Sequence, residues 1–147
     1  MTAMSRSRIL VRSATATTLA GIGGVHFAWG LGSSFPFKTR DELADAVIGS
    51  ATVPPPAACY AVAGALAVAS KFVVGVPLGP VGFRRVAITT VAAALGARGA
   101  LGLSGLTNLL SPGSESERFR RLDRRYYSPL CLVLAAGALA SRPDRRP

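Results

Sequence analysis

Carboxylates, histidine and cysteine are scarce in this 147-residue chain, which has seven Asp and Glu, one His and two Cys. None of the acids falls inside a long apolar run, so those runs hold neither a carboxylate pair for acid/base work nor a set of metal ligands. His26 has no Cys or acidic neighbour in sequence, which argues against a metal site. Cys59 and Cys131 make no Cys-x-x-Cys pair, the usual redox signature. No nucleophile has a base beside it. The expectation is a chain without metal or cofactor.

Apolar and basic residues are what the chain has in quantity. Half of it is hydrophobic, its mean hydropathy is +0.39, and seventeen Lys and Arg give a net charge of +10. The basic residues crowd at the ends of apolar stretches and not along one folded face. That is the pattern of a basic-flanked membrane protein and excludes a nucleic-acid partner. The length suits about four helices with short connections, a single domain over residues 1–147.

The expected fold is all-α: a four-transmembrane-helix antiparallel bundle with a short basic interfacial helix before the last span. The spans fall at about 13–31, 57–76, 86–106 and 127–141. The first follows Arg6, Arg8 and Arg12 but lacks an Ala-x-Ala site, so it reads as an uncleaved span and not a signal peptide. Small residues recur every fourth position at Ala16, Ala20 and Gly24, and again at Ala92, Gly96 and Ala100, which allows close helix approach. In the loop over 33–53, Thr39 precedes two acids and an apolar pattern, predicting a short capped helix. Pro54, Pro55 and Pro56 end that loop, since proline is tolerated in a helix's first turn but not in its interior. Phe119, Leu122 and Tyr126 at i, i+3, i+7 predict the basic helix, with Arg118, Arg120, Arg121, Arg124 and Arg125 at the other positions. The fourth span is short, since roughly 15 helical residues cover only ~22 Å. One side of the membrane collects Arg6, Arg8, Arg12, Lys71, Arg84, Arg85, Arg142, Arg145 and Arg146, nine basic residues against seven opposite. This places both termini in the cytoplasm and the chain in the cell membrane as a multi-pass protein.

Arg98 interrupts the third apolar run. An intramembrane arginine costs roughly 3 kcal/mol on insertion scales, so something must compensate it. Counted along their helices, His26 and Arg98 stand at one level, each roughly 20 Å from the basic end. Cys59, Tyr60, Tyr127 and Cys131 lie near the opposite end, and Trp29 is one turn beyond His26. A polar pocket between the helices follows, lined by His26, Trp29, Tyr60, Arg98, Asp123 and Tyr127. Arg98 is expected to pair with the Asp123 carboxylate or the Tyr127 hydroxyl, and Arg98→Leu to leave the fold intact or stabilise it. Two functions fit. The pocket binds a membrane lipid or lipophilic small molecule through Arg98, or it is an enzyme with His26 as acid or base and Arg98 as charge stabiliser. A purely structural role for Arg98, and interface anchoring by Trp29 and the tyrosines, compete with both. Self-association into a homo-oligomer stays open.

The stretch 118–131, RFRRLDRRYYSPLC, with His26 and Trp29 in the first span and Arg98-Gly99 in the third, resembles the small bacterial membrane proteins grouped as domain of unknown function 3995. The resemblance runs from about 20 to 140. It implies a four-helix integral membrane protein without naming an activity, and it points to His26, Trp29, Arg98, Asp123, Tyr127, Ser128 and Pro129.

Overall fold

A computed structural model describes residues 6–110, 112–114 and 116–144; Arg145 and Arg146, part of the expected basic tail, lie outside the described residues. The chain is all-α. Its helices are α1 (Arg6–Gly30), α2 (Arg40–Val47), α3 (Pro56–Val74), α4 (Val81–Leu103), α5 (Glu117–Leu122) and α6 (Ser128–Ala140). A 3₁₀ turn, Thr107–Leu109, follows α4, and a π-helical segment, Asp123–Tyr127, joins α5 to α6.

Local chemistry accounts for the ends. Thr39 caps α2, its hydroxyl accepting from the Glu42 N–H at 3.2 Å while the Glu42 carboxylate accepts from the Lys38 N–H at 3.1 Å. Pro56 opens α3 at a position that needs no N–H. Gly75 closes α3 in the left-handed region (φ 100°), where both its own N–H and that of Val76 reach the Lys71 carbonyl. A side chain there would also collide with the Arg12 guanidinium.

Each long helix runs antiparallel to the ones it touches. α1 packs on α3, α4 packs on α6, and the two pairs meet along α1–α6 and α3–α4. The core lies in the half nearer the start of α1 and the end of α6, built from Ala16, Leu19, Ala69, Phe72, Val73, Ile88, Ala92, Leu134 and Ala138. The other half is less filled, and the candidate site is there.

Three expectations need correction. First, the strict four-residue seams are not the contacts. Ala20, Gly24 and Ala100 are exposed, and the interfaces use Ala16, Leu19 and Gly23 on α1 and Ile88, Ala92, Gly99 and Gly102 on α4. A step of four residues overshoots a full turn by about 40°, so such a row walks off the interface, whereas mixed steps of three and four stay on it. Second, α1 begins at Arg6 and α4 at Val81, so Arg8, Arg12, Arg84 and Arg85 are helical residues and not linkers. Third, the basic helix is no separate element. α5, the π segment and α6 form one unbroken helical run from Glu117 to Ala140, which also supplies length that α6 lacks alone. Of the long helices, α3 and α4 are long and apolar enough to cross a membrane; α1 and α6 do not meet that measure.

The end holding the start of α1 and the end of α6 carries arginines aimed at helix C-termini. Arg12 donates to the Val73 and Val74 carbonyls at 3.3 and 2.9 Å, at the end of α3. Arg8 and Arg85 donate to the Arg142 and Pro143 carbonyls just beyond α6. Cations are favoured there because unpaired carbonyls leave a partial negative charge. Arg8 also grips both oxygens of Asp144 at 2.9 Å, and this hydrogen bond and charge hold the Asp144 carboxyl below its ordinary range. A carboxyl lowered by folding stabilises above its unfolded pKa and loses that contribution as acid protonates it. Wild type should therefore melt slightly above Asp144→Asn at pH 7, with the gap closing below about pH 4. A gap unchanged by acid would assign the effect to something other than this ion pair.

Candidate functional site

The π segment decides which side chains of the last helical run face inward. A π turn adds one residue to the helical repeat and so shifts the register of everything after it. Phe119 is buried, and the ring nearest it is that of Tyr127, centroids 6.4 Å apart, not that of Tyr126, which is 53% exposed. Asp123 opens the π segment and Ser128 follows five residues on, one π turn later, so both face the interior, at 1% and 0% exposure.

Asp123 is the hub. Its Oδ1 accepts from Arg98 Nη2 and Ser128 Oγ, both at 2.9 Å, and its Oδ2 accepts from Thr107 Oγ1 at 2.6 Å. One carboxylate thus ties α4, the 3₁₀ turn and the start of α6 together. A buried carboxylate is tolerable only with this kind of company: one cation and two hydroxyl donors. The expected pairing of Arg98 with Asp123 is present; the alternative partner, the Tyr127 hydroxyl, instead donates to the Ala46 carbonyl of α2 at 3.1 Å. Arg98 Nη1 is buried and has no hydrogen-bond partner among the described residues.

Beside this network lies a cavity of about 360 Å³, walled by α1, α3, α4 and α5 and capped by α2. Arg98, His26 and Thr107 are its polar members. Leu43 and Val47 from α2, Ile48 just after it, Val62 from α3, Leu110 and Phe119 make most of the rest, so the chamber is greasy with one cation in its wall. His26 Nδ1 is 2.9 Å from the Ile22 carbonyl, and a carbonyl only accepts, so Nδ1–H donates in this contact. The Trp29 ring packs on His26 at 4.7 Å, and its indole N–H donates to the Phe35 carbonyl at 2.7 Å.

α2 is fastened over the chamber from several sides. Besides Tyr127, Arg118 pairs with Asp45 at 3.7 Å, and Ser116 N–H donates to the Gly49 carbonyl. Arg118 also lies over the Phe37 ring.

Of the six residues expected to share a pocket, His26, Trp29 and Arg98 line this cavity. Asp123 stands behind Arg98 and orients it. Tyr60 does not line it, since its ring packs on Gly30 and Phe27 at the outside of α1. Tyr127 does not line it either, its hydroxyl being spent on α2. Cys59 lines the chamber, and Cys131 does not; both are free thiols. Sequence reasoning missed Thr107 as a ligand of Asp123 and α2 as the cover. Thr107 stands four residues past the end of α4 with no pattern to mark it. The cover had a signal in Leu43 and Val47, continued by Ile48, on the apolar face of a helix already expected from its cap.

No curated protein and no solved structure matches the chain. Residues 19–138, which include His26, Arg98, Thr107, Asp123 and Ser128, match the model of the family described as Protein of unknown function (DUF3995), and the chain belongs to that family.

Proposed function

We propose that this chain is a multi-pass membrane protein in which α1, α3, α4 and α6 form a four-helix bundle and the covered cavity binds a lipid or small amphiphile. The carrying observation is the cavity itself: mostly apolar, about 360 Å³, with the Arg98 guanidinium in its wall. Such a chamber suits a chain-like apolar body with an anionic or carbonyl head that Arg98 holds. Asp123 neutralises Arg98 only in part, because Nη1 has no partner among the described residues and the side chain keeps 29% exposure. Trp29 and His26 form the aromatic side of the chamber.

The surface supports the membrane reading. Ile9, Leu10, Phe27, Val68, Phe83, Val86, Val133 and Leu139 are all exposed, and only 28% and 22% of the most apolar stretches of α3 and α4 are buried. Water would penalise so much apolar area, whereas lipid would not. The arginines at the end holding the start of α1 and the end of α6 fit a cytoplasmic face for both termini.

An enzyme reading draws on one observation, the His26 imidazole in the wall that also holds Arg98. Among the described residues His26 has no nucleophile at hydrogen-bond distance, and the carboxylate that Thr107 and Ser128 reach is already ion-paired with Arg98, so binding is the stronger conclusion.

The test is native mass spectrometry of protein purified in a mild neutral detergent. Wild type should carry an amphiphile with an acidic or carbonyl head. Ile48→Trp, which fills the chamber, should lose it, and Val68→Trp on the exposed side of α3 should keep it. An empty wild type, or retention by Ile48→Trp, would overturn the reading.

A further inference from the structure

α3 and α4 meet beside the turn that joins them, where Phe72 packs edge-on to Phe83 at 5.7 Å and Phe72 and Val73 share the core with Ile88 and Ala92. Toward the other end each packs on a different partner. A side chain at Gly23 of α1 would stand 3.2 and 3.3 Å from the Ala63 carbonyl and Leu66 of α3, and one at Gly99 of α4 would stand 2.7 and 2.8 Å from Leu132 and the Ser128 carbonyl of α6. These glycines draw α3 onto α1 and α4 onto α6, and the chamber lies where α3 and α4 separate. Its wall is uneven in the same direction. Leu43, Cys59 and Phe119 are shut in at 3, 6 and 1% exposure, whereas Val62 and Leu110 are exposed by 41 and 52% and Ala58 is exposed as well. Residues that line a chamber and also reach the outside mark its rim. The rim therefore runs between Ala58 and Val62 on α3 and Leu110 just beyond α4, and every side chain in it is apolar.

We propose that this rim is a lateral portal to the hydrocarbon of the bilayer, and that the occupant is a single-chain amphiphile drawn from the surrounding leaflet, its carbonyl-bearing head on Arg98 and its tail leaving between α3 and the end of α4. The inference rests on the chamber reading above and adds a route and a ligand class to it. Depth supports the route: Val62 stands about 9 Å along α3 from its first residue, Pro56, which is below the headgroups if α3 spans the membrane. An apolar rim at that depth passes a lipid tail freely, whereas a hydrated solute would have to shed its water there. The alternative way in, beneath α2, would break the Tyr127 and Ser116 hydrogen bonds and the Arg118–Asp45 pair that fasten the cover. Size supports the ligand class. A chamber of about 360 Å³ stands near the small end of the ~300–1,000 Å³ range of ligand pockets, with room for a head and part of one chain but not for two chains.

Trp29 is the chain's single tryptophan and lines the chamber, so its fluorescence reports the occupant. The full chain in phosphatidylcholine vesicles is mixed in stopped flow with octadecanoic acid brominated either at carbons six and seven or at the last two carbons, bromine being a contact quencher. The first acid should quench Trp29 saturably and the second only in proportion to its amount in the membrane, because the head end is inside and the tail end outside. This comparison needs no variant. Ala58→Phe with Leu110→Phe narrows the rim and should slow the saturable phase about tenfold, while Ala61→Phe with Leu109→Phe, at exposed positions off the chamber wall, should change it less than about twofold. The final extent of quenching should be kept in both, which separates slowed entry from a lost chamber. Asp45→Asn with Tyr127→Phe unfastens α2 and should change the rate less than about twofold. A tenfold acceleration by that pair would make the cover the entrance, and equal slowing by the two Phe pairs would take the rim out of the route. Saturable quenching by the tail-brominated acid alone would reverse the ligand. Each of those results overturns this inference and leaves the chamber reading standing. Saturable quenching by neither acid also overturns it, and native mass spectrometry of the same protein then decides the chamber reading separately: a retained amphiphile keeps it, an empty protein ends both.

Discussion

Asp123→Ala should lower the melting temperature of the detergent-solubilised protein by about 10 °C, the largest loss from any single side chain here. The carboxylate is 1% exposed and holds three donors from three parts of the chain. Its removal leaves the Arg98 guanidinium without its counter-charge and two hydroxyls unpaired. Breaking a buried ion pair from one side costs about 3–5 kcal/mol, and the 29% exposure of Arg98 puts the expectation at the lower end, near ~3 kcal/mol. For a chain of this size that corresponds to about 10 °C. Asp123→Asn should lose less, since the amide keeps partners for the hydroxyls but not for the charge. Arg98→Leu should also destabilise, contrary to the expectation from sequence that it is harmless or stabilising. That expectation counted only the cost of burying the arginine. The carboxylate behind it is the more deeply buried of the two, and without Arg98 it would be an unneutralised anion. The double replacement Arg98→Met with Asp123→Leu removes both charges and should recover most of the loss. If Asp123→Ala melts within about 2 °C of wild type, the pair is not what joins α4 to α6.

How much of this was readable from sequence depends on what each feature rests upon. The capped helix over Arg40–Val47 was readable because Thr39 and Glu42 act within a few residues of each other. The cavity-lining trio His26, Trp29 and Arg98 was readable because rise per residue puts His26 and Arg98 at equal depth on two long helices. The Arg98–Asp123 pair followed from energetics: a costly cation, and an acid in a connection that starts on its side. Tyr60 and Tyr127 failed for a shared reason. Depth along a helix says nothing of azimuth, and Tyr60 points along the outside of α1 while a π turn rotates Tyr127 toward α2. No residue type announces a π turn, so the i, i+3, i+7 reading of Phe119, Leu122 and Tyr126 continued an ideal repeat through the place where the helix departs from it. The small-residue seams failed by geometry as well. Gly99 and Gly102 carry the α4–α6 contact, three residues apart where a spacing of four was expected.

Gly102→Ala should destabilise by about 2 kcal/mol, although the same exchange at Gly24 should stabilise. A methyl on Gly102 would overlap Ser128 Oγ and stand 2.7 Å from Arg98 Nη1 and 2.8 Å from Asp123 Oδ2. Those neighbours are held by each other and cannot step aside singly, so either α4 retreats from the π segment or the network opens. Overpacking of this kind costs about 1–3 kcal/mol. In the opposite direction, alanine is favoured over glycine inside a helix by about 0.8–1 kcal/mol. At Gly24 nothing lies within 4 Å of the added methyl, so the propensity gain acts alone there. At Gly102 the steric loss and the weakened charge-assisted bonds outweigh it. Melting in detergent distinguishes the two sites by sign: Gly24→Ala up, Gly102→Ala down. Ser128→Ala added to Gly102→Ala removes the worst overlap and should restore part of the stability, but not all, since Arg98 and Asp123 remain crowded. If Gly102→Ala instead matched Gly24→Ala, α4 and the π segment would not approach as closely as described, and the polar wall of the chamber would lose its anchor.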